Sequence, residues 1–211
     1  MTTEPILLAS VNSHSHDPDA LAFERLLFFS DAVFAIAMTL LAIDIRLPEG
    51  PAGGDMAQRI ASLAPQVVAY VVSFFQLAQF WNAHHQLFRY IVHYDAWLVG
   101  LNMAFLLLIA FLPVPTSVLG EHGVGPITVT FLASCLTLVA LSELGLWLHA
   151  SRALVARHVS KKTRRGITIK IVIVAAVFAG SIVIAQFSSV AALLSWFLIW
   201  PGHALVERRY H

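Results

Sequence analysis

Residues 25–43 read RLLFFSDAVFAIAMTLLAI. From Ala32 onward the run is apolar on every side apart from Thr39, whereas its head carries Arg25, Ser30 and Asp31. A helix apolar all round belongs in a membrane or a deep core. The rest of the chain decides between the two. Of 211 residues, 58% are hydrophobic and 12% charged, and mean hydropathy is +0.77. Soluble domains are about one quarter charged, so the composition places this chain in the membrane class.

Apolar runs divide the chain into six expected spans, at about 26–43, 60–81, 97–119, 127–150, 167–184 and 190–206. Each approaches the roughly 20 residues needed to cross a bilayer as helix. Backbone in lipid must satisfy its own hydrogen bonds. A barrel would show short alternating segments, and these runs are continuous. The fold class is therefore all-α integral membrane, with a cytosolic N-terminal arm at 1–20 and a six-helix domain at 21–211. The arm has no basic region followed by an apolar core, so it does not read as a signal peptide. The lone Cys135 permits no disulfide within the chain.

Lysine and arginine bias gives the orientation. With both termini cytosolic, Arg25, Arg89, Arg152, Arg157, KKTRR (161–165), Lys170, Arg208 and Arg209 fall inside, and Arg46 and Arg59 outside. A net charge of +1 gives no reason to expect a nucleic-acid partner; the bilayer is the partner the composition demands.

Polar groups at membrane depth are costly and tend to be functional. If spans 1 and 2 form a hairpin, FWNAHH (80–85) lies level with the head of span 1. Trp81, Asn82, His84 and His85 then share a depth with Arg25 and Asp31, and Asn102 of span 3 joins them. Two readings stay open: a clasp of interhelical hydrogen bonds, and an ion or proton site. Glu143 in span 4 is expected to pair with a basic group such as Lys170. On the first helix, Leu40 and Ile43 each lie within about 40° of Ile36, Thr39 borders that stripe, and Asp31 is about 140° away. Periodicity alone makes the stripe a packing face as readily as a pore lining.

These motifs resemble a known family. RLLFFSDAVFAIAMTLL matches the Arg-x-x-x-Phe-Ser-Asp signature of the transmembrane protein 175 potassium channels at Arg25, Phe29, Ser30 and Asp31. FWNAHHQLF (80–88) and LNMAFLLLIAFLPVPTSVLGEH (101–122) extend the match to about 25–122. Prokaryotic members resemble homotetramers of six-helix subunits, whereas animal members carry two such repeats. This chain has one. The resemblance implies that the first helix lines the pore and that Ile36, Leu40 and Ile43 form its hydrophobic constriction. It implies that Ile36 and Thr39 bear on selectivity. It also makes Arg25, Phe29, Ser30, Asp31, Trp81, His84, His85 and Asn102 a network holding that helix. The implied function is a potassium-permeable channel of the prokaryotic plasma membrane, with modest preference for K+ over Na+ among monovalent cations.

A carbonyl filter needs a TVGYG-like loop, and the sequence has none. Discrimination would rest on partial dehydration at an apolar ring. Asp44, just beyond Ile43, would gather cations at the outer mouth or else pair with Arg46. Two rivals remain. A membrane metalloenzyme is invited by ten histidines, but His84–His85 stands apart from any HxxxH or HxxHH box and HSH (14–16) lies in the arm. No metal, catalytic residue or cofactor other than the permeant ion is expected. A secondary transporter or proton carrier would use repeats and a midplane site, for which Glu143 and the histidines are the suggestive groups.

Overall fold

The computed structural model describes residues 18–47 and 56–210. Most of the 1–20 arm, with His14 and His16, and most of the loop after the first helix lie outside them. Within them the chain is helical almost throughout. In order come α1 (Pro18–Leu40), α2 (Met56–Ala61), α3 (Ala64–Phe88), α4 (Ala96–Phe111) and α5 (Pro113–His122). They are followed by α6 (Pro126–Ala153), α7 (Lys161–Ala185), α8 (Ser189–Ser195), a 3₁₀ turn (Trp196–Leu198) and α9 (Ile199–Tyr210).

Five helical runs are long and apolar enough to cross a membrane: Met56–Phe88, Ala96–His122, Pro126–Ala153, Lys161–Ala185 and Ser189–Tyr210. The helix α1 is not among them, because it carries Asp19, Glu24, Arg25 and Asp31. It starts well before the apolar run and stops at Leu40, short of the end expected from hydropathy. Beyond Leu40 the backbone tightens: Ala42, Ile43 and Ile45 donate to Thr39, Leu40 and Ala42, three residues back. Leu47 precedes a proline in the sequence, which disfavours helical backbone at that residue.

Two other spans are interrupted. Leu112 donates to Ile109, three residues back, between α4 and α5. Pro113 and Pro115 have no N–H for the next turn. The last span is broken by the 3₁₀ turn, whose Phe197 carbonyl faces the missing N–H of Pro201. The 3₁₀ turn therefore lies just before Pro201.

Helix ends are capped by short polar side chains, as helix starts require. The Asp95 carboxylate accepts from Leu98 N–H at 2.7 Å, Ser160 Oγ from Thr163 N–H at 3.0 Å and Ser188 Oγ from Ala191 N–H at 3.3 Å. Gly123, at φ 75°, turns the chain between α5 and α6.

The core has two parts. One fills the middle of the bundle around Phe34, Leu77, Phe105, Leu132 and Phe178. The other lies at the basic end around Leu98, Leu146, Trp147 and Ile171. At that end the links after α3 and after α6 meet in an antiparallel bridge between Ile91 and Val155. Val92 N–H donates to Leu154 and Ala156 N–H to Tyr90, each at 3.0 Å. Arg164 of the KKTRR run turns inward onto this junction, donating to the carbonyls of Ser151 (2.6 Å), Val159 (3.3 Å) and Ala156 (3.4 Å). One of the basic residues that set the expected orientation thus caps the end of α6.

Candidate functional site

The helix α1 packs against α3 and α4 and touches α5. Its buried positions are Ser30, Phe34, Ala37 and Leu41, spaced four, three and four residues apart as one helical face requires. The opposite face is open. Ile36 is 58% exposed, Leu40 38% and Ile43 63%. Ala32, Ala35 and Thr39 share this face, and the Thr39 hydroxyl donates to the Ile36 carbonyl at 2.8 Å. Successive three-residue bonds place residues i and i+3 one above the other, so the tightened end brings Ile43 over Leu40.

The polar head is tied down by two separate connections. Trp81 Nε1 of α3 donates to Asp31 Oδ1 at 2.8 Å, and the His85 ring stacks on the Trp81 ring at 5.8 Å. Deeper in, Asn102 of α4 joins α1 to α3. Its Nδ2 donates to Ser30 Oγ at 3.0 Å, and its Oδ1 meets His84 Nε2 at 2.8 Å. Ser30 Oγ donates to the Leu26 carbonyl at 2.9 Å. The proton directions follow. Ser30 has one O–H, used on Leu26, so it accepts from the Asn102 amide. Asn102 then presents its carbonyl to His84, and His84 carries its proton on Nε2. The His84 ring lies parallel to Phe105 at 5.3 Å. Rings at the start of α1 extend the attachment: Phe23 lies 6.0 Å from Phe88 and 5.8 Å from Tyr94.

The structure therefore brings together Ser30, Asp31, Trp81, His84, His85 and Asn102. It leaves Arg25 and Phe29 outside this group, both exposed on the open side of α1. Asp44 is half-buried near the opposite end of the helix.

The expected pairing of Glu143 with Lys170 is absent. Lys170 Nζ bonds Glu207 Oε1 of α9 at 2.7 Å, while Glu143 Oε1 is buried without a hydrogen-bond partner. Helix α9 comes alongside α7 and supplies the nearer carboxylate. Sequence reasoning also missed two side-chain links. Thr116 Oγ1 donates to Ser73 Oγ at 2.8 Å. Across the basic end, His149 Nε2 lies 2.9 Å from Asp95 Oδ2. Serine and threonine within apolar runs give little signal. The Leu98 N–H, followed by the His149 contact, holds the Asp95 carboxyl below its ordinary range. Among the described residues, no group of three or more His, Cys, Asp or Glu side chains could hold a metal.

Comparison with known proteins gives a consistent result. A family model described as endosomal/lysosomal potassium channel TMEM175 matches residues 25–113. A Streptomyces collinus protein named as a potassium channel is 35% identical over 128 residues, covering 59% of this chain and 62% of that protein. The human protein named endosomal/lysosomal proton channel TMEM175 is 36% identical over 84 residues, 36% of this chain and 16% of its own. The matched stretch thus spans less than two-thirds of either relative. The crystal structure of a lysosomal potassium-selective channel TMEM175 homolog from Chamaesiphon minutus superposes with a TM-score of 0.75 at 26% identity. That match covers 87% of this chain and 97% of the other.

Proposed function

We propose that this chain is a member of the TMEM175 family, which its similarities support, and that it is a potassium-permeable cation channel of the prokaryotic plasma membrane, assembled as a homotetramer around its first helix. The family is one of channels rather than enzymes. In this reading α1 is the sixth span, both termini are cytosolic, and four copies of Ile36, Leu40 and Ile43 form the constriction. The Thr39 hydroxyl layer lies between Ile36 and Leu40, and Asp44 rings the outer mouth.

The two-sidedness of α1 carries the proposal. One face is buried and its polar head is bonded to α3 and α4, while on the other face Ile36, Leu40 and Ile43 stay exposed among the described residues. A ring of isoleucines offers an ion no ligand to replace its water, and such constrictions gate by dewetting. Potassium sheds water more readily than sodium, so the preference is for potassium and is modest.

The test is a bi-ionic K+/Na+ reversal potential on reconstituted protein. Wild type should reverse towards the potassium potential. Ile36→Asn, which wets the ring, should pass more current and reverse nearer zero. Unchanged current and reversal potential in Ile36→Asn would remove Ile36 as the narrow point. A second reading, proton conduction, draws on the name of the human relative. It predicts a reversal potential that follows the pH gradient when K+ is replaced by an impermeant cation.

A further inference from the structure

Behind α3, on the side away from α1, a cavity of about 260 Å³ opens between α3, α6, α7 and α9. Gln76, Gln86, Glu143, Lys170, His203 and Glu207 supply its polar wall, and Phe80, Phe178 and Ile199 its apolar one. Two acceptors there are unused. Glu143 is 3% exposed, and its Oε1 has no hydrogen-bond partner. His203 Nε2 is likewise buried and unpartnered. A neutral imidazole whose proton sits on Nδ1 presents Nε2 as a bare acceptor. Lys170 is bonded to Glu207, so it does not serve Glu143 as a counter-ion.

A buried carboxylate with an unpaired oxygen is costly, and native interiors leave few such groups. A space large enough for a small molecule adjoins this one. We propose that the cavity binds a primary ammonium group carrying a short apolar tail. Glu143 is its counter-charge, His203 Nε2 is a second acceptor, and the tail lies against Phe80, Phe178 and Ile199. An ammonium offers three donors to such acceptors. An imidazole nitrogen suits an N–H donor better than a bare alkali ion, which prefers oxygen. The ammonium group has two possible sources: the headgroup of phosphatidylethanolamine and a soluble amine. The proposal does not depend on what the pore conducts.

The test is calorimetric titration of butylammonium into the purified full-length protein in amine-free detergent, with butanol as the uncharged control. Wild type should bind butylammonium saturably and butanol at least tenfold more weakly. Glu143→Gln should weaken butylammonium binding at least tenfold. In parallel, protein taken from vesicles of phosphatidylethanolamine and phosphatidylcholine is examined by native mass spectrometry. Phosphatidylethanolamine retained by wild type and lost by Glu143→Gln assigns the lipid source. Butylammonium binding without retained lipid assigns the soluble one. Equal butylammonium affinity in wild type and Glu143→Gln overturns the proposal, as does equal affinity for butanol. Absence of both butylammonium binding and retained lipid also overturns it. If Glu143→Gln does not fold, Ala83→Leu decides. Ala83 lines the cavity, so the larger side chain should block binding with Glu143 in place, and undiminished binding would refute the assignment.

Discussion

Asn102 is the side chain on which the attachment of α1 turns. It uses its amide donor on Ser30 and its carbonyl on His84, and it is fully buried. Asn102→Ala leaves the buried Nε2 of His84 without its partner, whereas Ser30 keeps its bond to the Leu26 carbonyl. A buried polar group left unsatisfied costs about 1–3 kcal/mol, well above the roughly 0.6 kcal/mol typical of an interhelical hydrogen bond in a membrane. Thermal unfolding in detergent should show Asn102→Ala several degrees below wild type, with a smaller loss for Ser30→Ala. Equal melting of Asn102→Ala and wild type would mean the network adds nothing to stability. Most of this group was legible in the sequence, because polar residues at depth are rare and hairpin topology puts Ser30, Trp81, His84 and Asn102 at one level. Phe29 enters the expected group only as part of a motif, and Arg25 by motif and depth, but the structure leaves both outside it. Their place on the helix turns them away from α3 and α4, and depth says nothing about angle. Glu143 failed for a related reason. Lys170 had two carboxylates to choose from, and the packing of α9 against α7 decided for Glu207.

At the scale of the element, helix ends account for what hydropathy could not resolve. Apolar runs locate spans but not the breaks within them, so the interruptions at Leu112 and at Trp196–Leu198 come from proline chemistry rather than hydrophobicity. The start of α4 is a separate case. Asp95 caps it through Leu98 N–H and reaches His149 of α6. Asp95→Ala should cost about 1 kcal/mol, the usual value of an N-cap, measurable as a lower melting temperature. The pH dependence follows from the direction of the shift. A carboxyl held below its ordinary range in the folded protein adds stability above that range. The contribution is lost as pH falls through the lowered folded value. The melting difference between wild type and Asp95→Ala should therefore be full at neutral pH and shrink under acid. A difference that grows under acid would contradict the cap.

For the whole molecule, composition is enough to place the chain in a bilayer, and a single subunit is not enough to close a pore. The open face of α1 is as apolar as the faces turned to lipid, so nothing in residue type distinguishes a lining from a lipid contact. The proposed fourfold arrangement supplies that distinction and makes Asp44 testable. Four carboxylates at one mouth raise the local cation concentration, and salt screens them, with a Debye length of about 30 Å at 0.01 M and 8 Å at 0.15 M. Asp44→Asn should lower single-channel conductance at low ionic strength and leave it nearly unchanged at high. No difference at low salt would remove Asp44 from the mouth. A last consequence comes from the bridge between Ile91 and Val155. It fastens the link that follows α3 to the link that follows α6, so neither helix can tilt at the basic end without carrying the other. Because α3 also holds Asp31, a push on the outer helices near KKTRR has a mechanical route to α1. The bundle behaves at that end as one lever rather than as separate rods.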